Sequence, residues 1–234
     1  MLDCISVENM RHSDAYTITR FVPGPVLMYR AAQGIFRAVS WNGSIAIVVG
    51  SGNNGGDGFA LACILRDHAH PCTVFTLSDK LSADSAYYAE MARNAGISIR
   101  PFTSGCLEGF DFAVDCLLGT GFQGIVRGNY RSAIEEINRC TAFVVSADIN
   151  SGMNGDTGEA ELAVRSDLTV TIGYVKTGLI SENAGKYIKK LVCTDIGILL
   201  VKEEYKICGP EEPLLPGAYP CPPWLDMNII PATK

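Results

Sequence analysis

The chain has 234 residues, 47% of them apolar, and a formal net charge of -6; that leaves room for a buried core and argues against an electrostatic nucleic-acid binder. No apolar run approaches the roughly 20 residues of a membrane span, and Met1–Cys4 has neither the basic start nor the apolar stretch of a signal peptide. The expected setting is therefore the cytoplasm, without a membrane or nucleic-acid partner; a nucleotide ligand stays open, since one small phosphate site needs only local donors.

In chain order, Ser6 is placed to cap a helix running toward Phe21. Gly24-Pro25 opens a second helix, in which Leu27, Met28, Ala31, Ala32, Ile35, Phe36 and Val39 recur at helical spacing. After the turn Trp41-Asn42-Gly43 the rhythm changes to short apolar runs: Ser44–Val49, Cys72–Leu77, Ile97–Pro101, Phe112–Leu118, Ala142–Ile149, Asp167–Ile172 and Leu191–Ile196. They are mostly continuous rather than alternating, the pattern of strands buried on both faces. Ser82–Ala95, closed by Gly96, and Tyr130–Arg139 read as intervening helices. The succession predicts an α/β fold with a largely parallel central sheet and helices on both sides. Seven of the eleven prolines fall between Pro210 and Pro231, so residues 206–234 are expected to form an irregular surface tail behind a single domain of residues 1–205. Nine cysteines, odd in number and without C-x-x-C spacing, are expected to be free thiols. His12, His68 and His70 form no ligand cluster.

In such sheets ligands sit outside the carboxyl ends of the strands. Four polar, glycine-rich loops should meet there: Gly50–Gly58, Gly119–Gly124, Asp148–Gly152 and Gly173–Gly178. The first fits G-x-G-x-x-G at Gly50, Gly52 and Gly55, a weak pattern alone. It is no Walker loop, because no Lys-Ser/Thr follows. A tight turn would account for the glycines but not for Asn53, Asn54 and Asp57. Asp115, flanked by Val114 and Cys116 within a strand, is costly to bury unless paired, hydrogen-bonded or bound to a cation. Asp148 ends its strand and Lys176 stands in the fourth loop, which makes both candidates for the reacting site; a solvated loop lysine is the commoner case.

Four segments, GSGNNGGDGF (50–59), DCLLGTGFQG (115–124), DINSGMNGDTG (148–158) and DLTVTIGYVKTGL (167–179), resemble the NAD(P)H-hydrate epimerase family, the YjeF N-terminal domain. Ser6–Arg30 and Asp195–Ile198 resemble its opening and closing stretches, so the likeness runs in order over about residues 5–200. The resemblance implies a Rossmann-like three-layer αβα sandwich, usually a homodimer. It implies epimerisation of hydrated NADH and NADPH at ring carbon 6, feeding a dehydratase that is expected here as a separate protein. Asn53, Asn54, Gly55, Gly56 and Asp57, with Gly119, Thr120, Gly121, Phe122, Gln123, Gly124 and Ile125, would bind the dinucleotide, and Asp148 would contact it. Asn54, Asp115 and Ser151 would hold a potassium ion, for which oxygen-only ligands are suited. Asp148 is the expected acid/base, with Lys176 assisting as electrostatic helper or proton donor. Tyr29, Asn150 and Met153–Gly155 depart from the family's usual pattern. An NAD(P)-dependent dehydrogenase stays open, with Asp79 near the position that such a fold uses for ribose. So does a non-catalytic dimeric scaffold of the kind found in messenger-RNA decapping.

Overall fold

The computed structural model describes residues 1–231. Its centre is an eight-stranded sheet, parallel throughout, ordered β12-β9-β7-β6-β5-β2-β3-β4. These strands are β2 (Ile45–Val49), β3 (Cys72–Thr76), β4 (Ser98–Pro101), β5 (Phe112–Cys116), β6 (Phe143–Ala147), β7 (Leu168–Ile172), β9 (Leu191–Asp195) and β12 (Leu225–Pro231). The helices are α1 (Val7–Arg20), α2 (Gly24–Ala38), α3 (Asn53–Asp67), α4 (Ala83–Asn94) and α5 (Gly128–Ile137). A small second sheet, ordered β11-β10-β1-β8, is built from β1 (Leu2–Ile5), β8 (Val175–Lys176), β10 (Tyr205–Cys208) and β11 (Tyr219–Pro220).

Successive side chains of a strand point to opposite faces, and that alternation makes the layers. Ile45, Ile47 and Val49 of β2 face α2, α3 and α4, packing with Ala31, Phe59, Leu61 and Ala89. Ala46 and Val48 face the other way, onto Ala133, Ile134 and Ile137 of α5. Every residue of β2, β5 and β7 is buried, which is why these strands read as mostly apolar runs, broken only by the buried Asp115, Thr169 and Thr171. The second face is thinner than strand–helix–strand succession predicts. No helix joins β6 to β7, and Leu107 and Val164 from loops complete that cover beside α5.

Helix α1 has little apolar surface for a simple physical reason. Its inward stripe Asn9, Ser13 and Thr17, spaced four apart, is polar and fastens the chain after β9: Asn9 Nδ2 donates to the Lys202 carbonyl, and the Val201 and Leu199 amides donate to Ser13 Oγ and Thr17 Oγ1. Ser6 caps the helix as expected, accepting from the Asn9 amide. The proline-rich segment is not irregular throughout, since it contributes β10, β11 and β12. Proline is tolerated at a sheet edge, where its missing N–H breaks no ladder, and β12 is an edge strand ending on Pro231. Leu225 is buried and Trp224 Nε1 donates to the Leu179 carbonyl, which seats the segment. Residues 232–234 of the expected tail lie outside the described residues. All nine cysteines are free, and among the described residues no helix is long and apolar enough to cross a membrane.

Candidate functional site

A cleft of about 700 Å³ opens at the carboxyl edge of the parallel strands. All four glycine-bearing loops reach it, contributing Ser51–Asn54 and Asp57, Leu117–Gln123, Asp148, and Ile172 with Lys176. The rest of the lining comes mainly from α1, which presents Met10, Arg11, Asp14 and Ile18, and from Leu27, Met28 and Ala31 of α2.

The glycines of the first loop divide into two kinds. Gly50 and Gly55 are there for close backbone packing: a Cβ on Gly50 would meet the Leu117 carbonyl oxygen at 2.0 Å, and one on Gly55 would meet the Gly50 oxygen at 2.2 Å. Gly55 and Gly56 are not among the residues lining the cleft, and a Cβ on Gly56 would meet Met28 Sδ at 2.5 Å. Gly52 and Gly121 have open space where a Cβ would sit, which lets a ligand approach the backbone. Gly52 is also the N-cap of α3 and supplies no side chain to cap it, so the first amides of this helix are left for an anion. Neighbouring helices hold the loop: Ser85 Oγ donates to the Gly52 carbonyl, Ser82 Oγ to Asn53 Oδ1, and the Ser51 amide to the Tyr130 hydroxyl oxygen. Gly124 and Ile125 line a neighbouring cleft of about 540 Å³, which shares Phe122 and Gln123 with the first.

Asp148 follows directly on β6 with φ at +67°, a left-handed conformation that non-glycine residues avoid and that tends to mark functional positions. Its amide donates to the Val170 carbonyl, and the next amide, of Ile149, reaches back to Ala147. Oδ1 accepts from Lys176 Nζ at 2.5 Å and from the Ile172 amide at 3.3 Å. Oδ2 accepts nothing among the described residues and lies beside Gly119, in the cleft. Lys176 is 1% exposed and is not a solvated loop lysine. Its three protons go to Asp148, Thr171 Oγ1 and the Ile172 carbonyl. With every donor taken, it orients and neutralises Asp148, and no free N–H is left to act as a separate proton donor.

Asp115 is 0% exposed and lies beneath the cleft floor. Its carboxylate accepts from Ser151 Oγ, Ser151 N, Ser146 Oγ and Leu117 N. Burial raises its proton affinity, and the hydrogen bonds, led by that from Ser151, act against this. Ser151 Oγ also accepts from the Leu118 amide, while Asn54 Nδ2 donates to the Leu118 carbonyl. Asn54 Oδ1 is buried with no partner, alone in this among the described side chains. Asn150, one of the departures from the family pattern, is buried and fully used: Nδ2 donates to the Val164 carbonyl, Ser166 Oγ and the Tyr187 carbonyl, and Oδ1 accepts from Thr169 Oγ1. These bonds fix the loop that carries Ser151. Tyr29 is exposed on α2 and does not line the cleft. Asp79 lines neither cleft, so the dehydrogenase alternative loses its ribose-binding residue.

Sequence reasoning passed over two further carboxylates in the cleft, Asp14 of α1 and Asp84 of α4. Burial raises the proton affinity of Asp14, and the charge of Asp148 adds to it. Asp57 is pushed well above the usual carboxylate range, first by burial and then by Asp148 and Asp14. A group with a raised folded-state pKa adds stability below its unfolded value and loses it as pH rises through the folded value. Asp57→Asn is therefore expected to melt higher than the parent protein at neutral pH, with the difference vanishing toward pH 3–4, near the unfolded carboxylate value of about 3.9. Melting curves across this range check it; a variant that melts lower at neutral pH contradicts it.

A family model described as the YjeF-related protein N-terminus matches residues 24–178. An NAD(P)H-hydrate epimerase of Rhodopirellula baltica is 33% identical over 207 residues, covering 84% of this chain and 85% of the relative. One of Oenococcus oeni is 36% identical over 205 residues, covering 83% and 96%. The bifunctional NAD(P)H-hydrate repair enzyme Nnr of Archaeoglobus fulgidus is 34% identical over 189 residues, covering 79% of this chain and 39% of that protein. The crystal structure of yeast ynu0 has the same fold, with a TM-score of 0.66 at 17% identity over 76% of this chain and 83% of that one.

Proposed function

The chain belongs to the YjeF-related N-terminal family, and from that membership we propose that it is an NAD(P)H-hydrate epimerase, an isomerase that interconverts the R and S forms of hydrated NADH and NADPH. One observation carries this beyond the relatives' names: Asp148, in left-handed backbone and paired with buried Lys176, presents a free carboxylate oxygen to a cleft that also holds an uncapped helix N-terminus.

The substrate is a dinucleotide with a pyrophosphate and a hydrated nicotinamide ring. The pyrophosphate suits the amides at Gly52–Asn54, where helix N-termini favour anions. The ring suits the space between Asp148 and α1, and the remaining nucleoside has room in the adjoining cleft past Phe122–Ile125. At carbon 6 the hydroxyl must be protonated to leave and deprotonated to return, which is work for a positioned acid/base, and Asp148 is our assignment. Lys176 holds Asp148 in its rotamer and balances its charge.

The oxygen atoms of Asn54, Asp115 and Ser151 fit a hard monovalent cation, and the partnerless Asn54 Oδ1 supports a potassium ion there. Bound, the ion would supply fixed positive charge beneath the cleft floor and offset the buried Asp115 carboxylate. The scaffold alternative has less support, because it assigns no task to the Asp148–Lys176 pair. A homodimer and a separate dehydratase partner belong to the same proposal; sedimentation tests the first.

The direct experiment begins with chromatographically pure R hydrate. The protein is expected to convert it to an R/S mixture faster than buffer does, in proportion to enzyme concentration. Decay of the R form at the buffer rate over a wide range of enzyme concentration would overturn the epimerase assignment.

A further inference from the structure

Inverting carbon 6 makes a demand that one acid/base group meets poorly. The hydroxyl must leave one face of the ring and water must add to the other, so two groups reaching the ring from different walls suit the reaction. Asp148 stands on the wall made by the strand ends. The wall made by α1 carries a carboxylate as well, Asp14, between Met10 and Ile18 on the cleft-lining stripe. The Asn9, Ser13 and Thr17 bonds to residues 199–202 fix that helix in place. Asp14 forms no ion pair or hydrogen bond among the described residues, although it is partly buried, so its oxygens are available to a ligand.

We propose that Asp14 is a second catalytic acid/base residue, serving the ring face turned away from Asp148. The proposal rests on the epimerase function above. In one direction Asp14, protonated, gives its proton to the carbon 6 hydroxyl. The carbon–oxygen bond breaks, its electron pair leaves with the departing water, and the lone pair of ring nitrogen 1 forms a double bond to carbon 6. A water on the other face attacks carbon 6 and passes a proton to the Asp148 carboxylate, and the π pair returns to the nitrogen. The other epimer uses the same two groups with their roles exchanged, and solvent restores the protons between turnovers.

The charged groups around Asp14 are consistent with this division of labour. Arg11 stands on its own helix, Asp57 comes from α3, Asp84 from α4, and Asp148 with Lys176 from the strand ends. Burial and the Asp148 charge favour the protonated form of Asp14, as an acid working near neutral pH requires. Asp57 is driven further in the same direction, which suits a standing hydrogen-bond donor to the substrate better than a group that cycles.

The test compares wild type, Asp14→Asn, Asp14→Glu and Asp57→Asn on R hydrate, with melting curves to establish folding. Asp14→Asn is expected to lose about 10²-fold or more in kcat, the usual scale for a general acid or base. Its KM should stay within about threefold, since the lost interaction belongs to the transition state. The high-pH limb of its kcat/KM profile should disappear, and Asp14→Glu should restore that limb and part of the rate. Folded Asp14→Asn with kcat within about threefold of wild type and an unchanged high-pH limb overturns the proposal. So does a profile in which Asp57→Asn removes the limb and Asp14→Asn does not. If Asp14→Asn fails to fold, Asp14→Ser carries the same two readouts. Inactive wild type sinks the epimerase assignment and this proposal together; active wild type with an indifferent Asp14 variant sinks the proposal alone.

Discussion

Asp148→Asn is expected to lower turnover by roughly 10²-fold or more while changing substrate affinity much less. Asparagine is nearly the same shape and tolerates the left-handed backbone that residue 148 adopts at φ +67°. Its side-chain oxygen can still accept from Lys176 Nζ and the Ile172 amide, the two bonds that orient Asp148. What it loses is the titratable oxygen beside Gly119. The cost in stability is separate and measurable: Lys176 keeps its bonds to Thr171 and Ile172 but has no counter-charge, and breaking a buried pair typically costs about 3–5 kcal/mol. Turnover must therefore be compared below the variant's own melting point. Lys176→Met breaks the same pair but leaves the carboxylate, so it should retain more turnover than Asp148→Asn. Near-wild-type turnover in folded Asp148→Asn would make Asp148 a binding residue only.

Asp115→Ala is expected to destabilise the fold by about 3–5 kcal/mol, since each buried donor left unsatisfied costs about 1–3 kcal/mol. The change strands three donors, Ser151 N, Ser146 Oγ and Leu117 N, and leaves Ser151 Oγ only the Leu118 carbonyl, in a place water does not reach. Asp115→Asn keeps the shape and one acceptor and should cost much less. The same experiment reports on the cation. A ligand that binds only the folded state raises the melting point with its concentration, so potassium should stabilise the parent protein more than lithium does. Asn54→Ala removes the partnerless oxygen and should abolish that difference while leaving the Asp115 hydrogen bonds in place. Equal melting of the parent protein in both salts would remove the ion from the account, and loss of less than about 1 kcal/mol in Asp115→Ala would remove the network's structural role.

The central strands are legible in the sequence because burial on both faces selects mostly apolar residues, wholly so in Ile45–Val49 and with two small threonines in Leu168–Ile172. The convergence of the four loops follows from parallel strand order, and the cleft forms where they meet. The roles of individual loop glycines were not legible, since Gly50 and Gly55 answer to each other and to Leu117, a neighbour only in the folded chain. Asp14 escaped notice because the inward stripe of α1 is polar: Asn9, Ser13 and Thr17 hide the amphipathic pattern that would have shown which face lines the cleft. The edge strand β12 was hidden by the prolines before it and by Pro231 at its end, since proline marks irregular chain and sheet edges alike. His68, at the end of α3, stacks on Phe36 with ring centroids 4.6 Å apart, a contact between segments that lie far apart in the chain.

The measurement that bears most directly on the whole account is a coupled assay. An S-specific hydrate dehydratase is given a mixture of R and S hydrates and run until the S form is exhausted, and this protein is then added. The account predicts renewed formation of dihydronicotinamide cofactor until the R form is consumed as well, at a rate set by the added protein and abolished by Asp148→Asn. If cofactor recovery stays at the level set by the original S fraction, the protein does not interconvert the epimers.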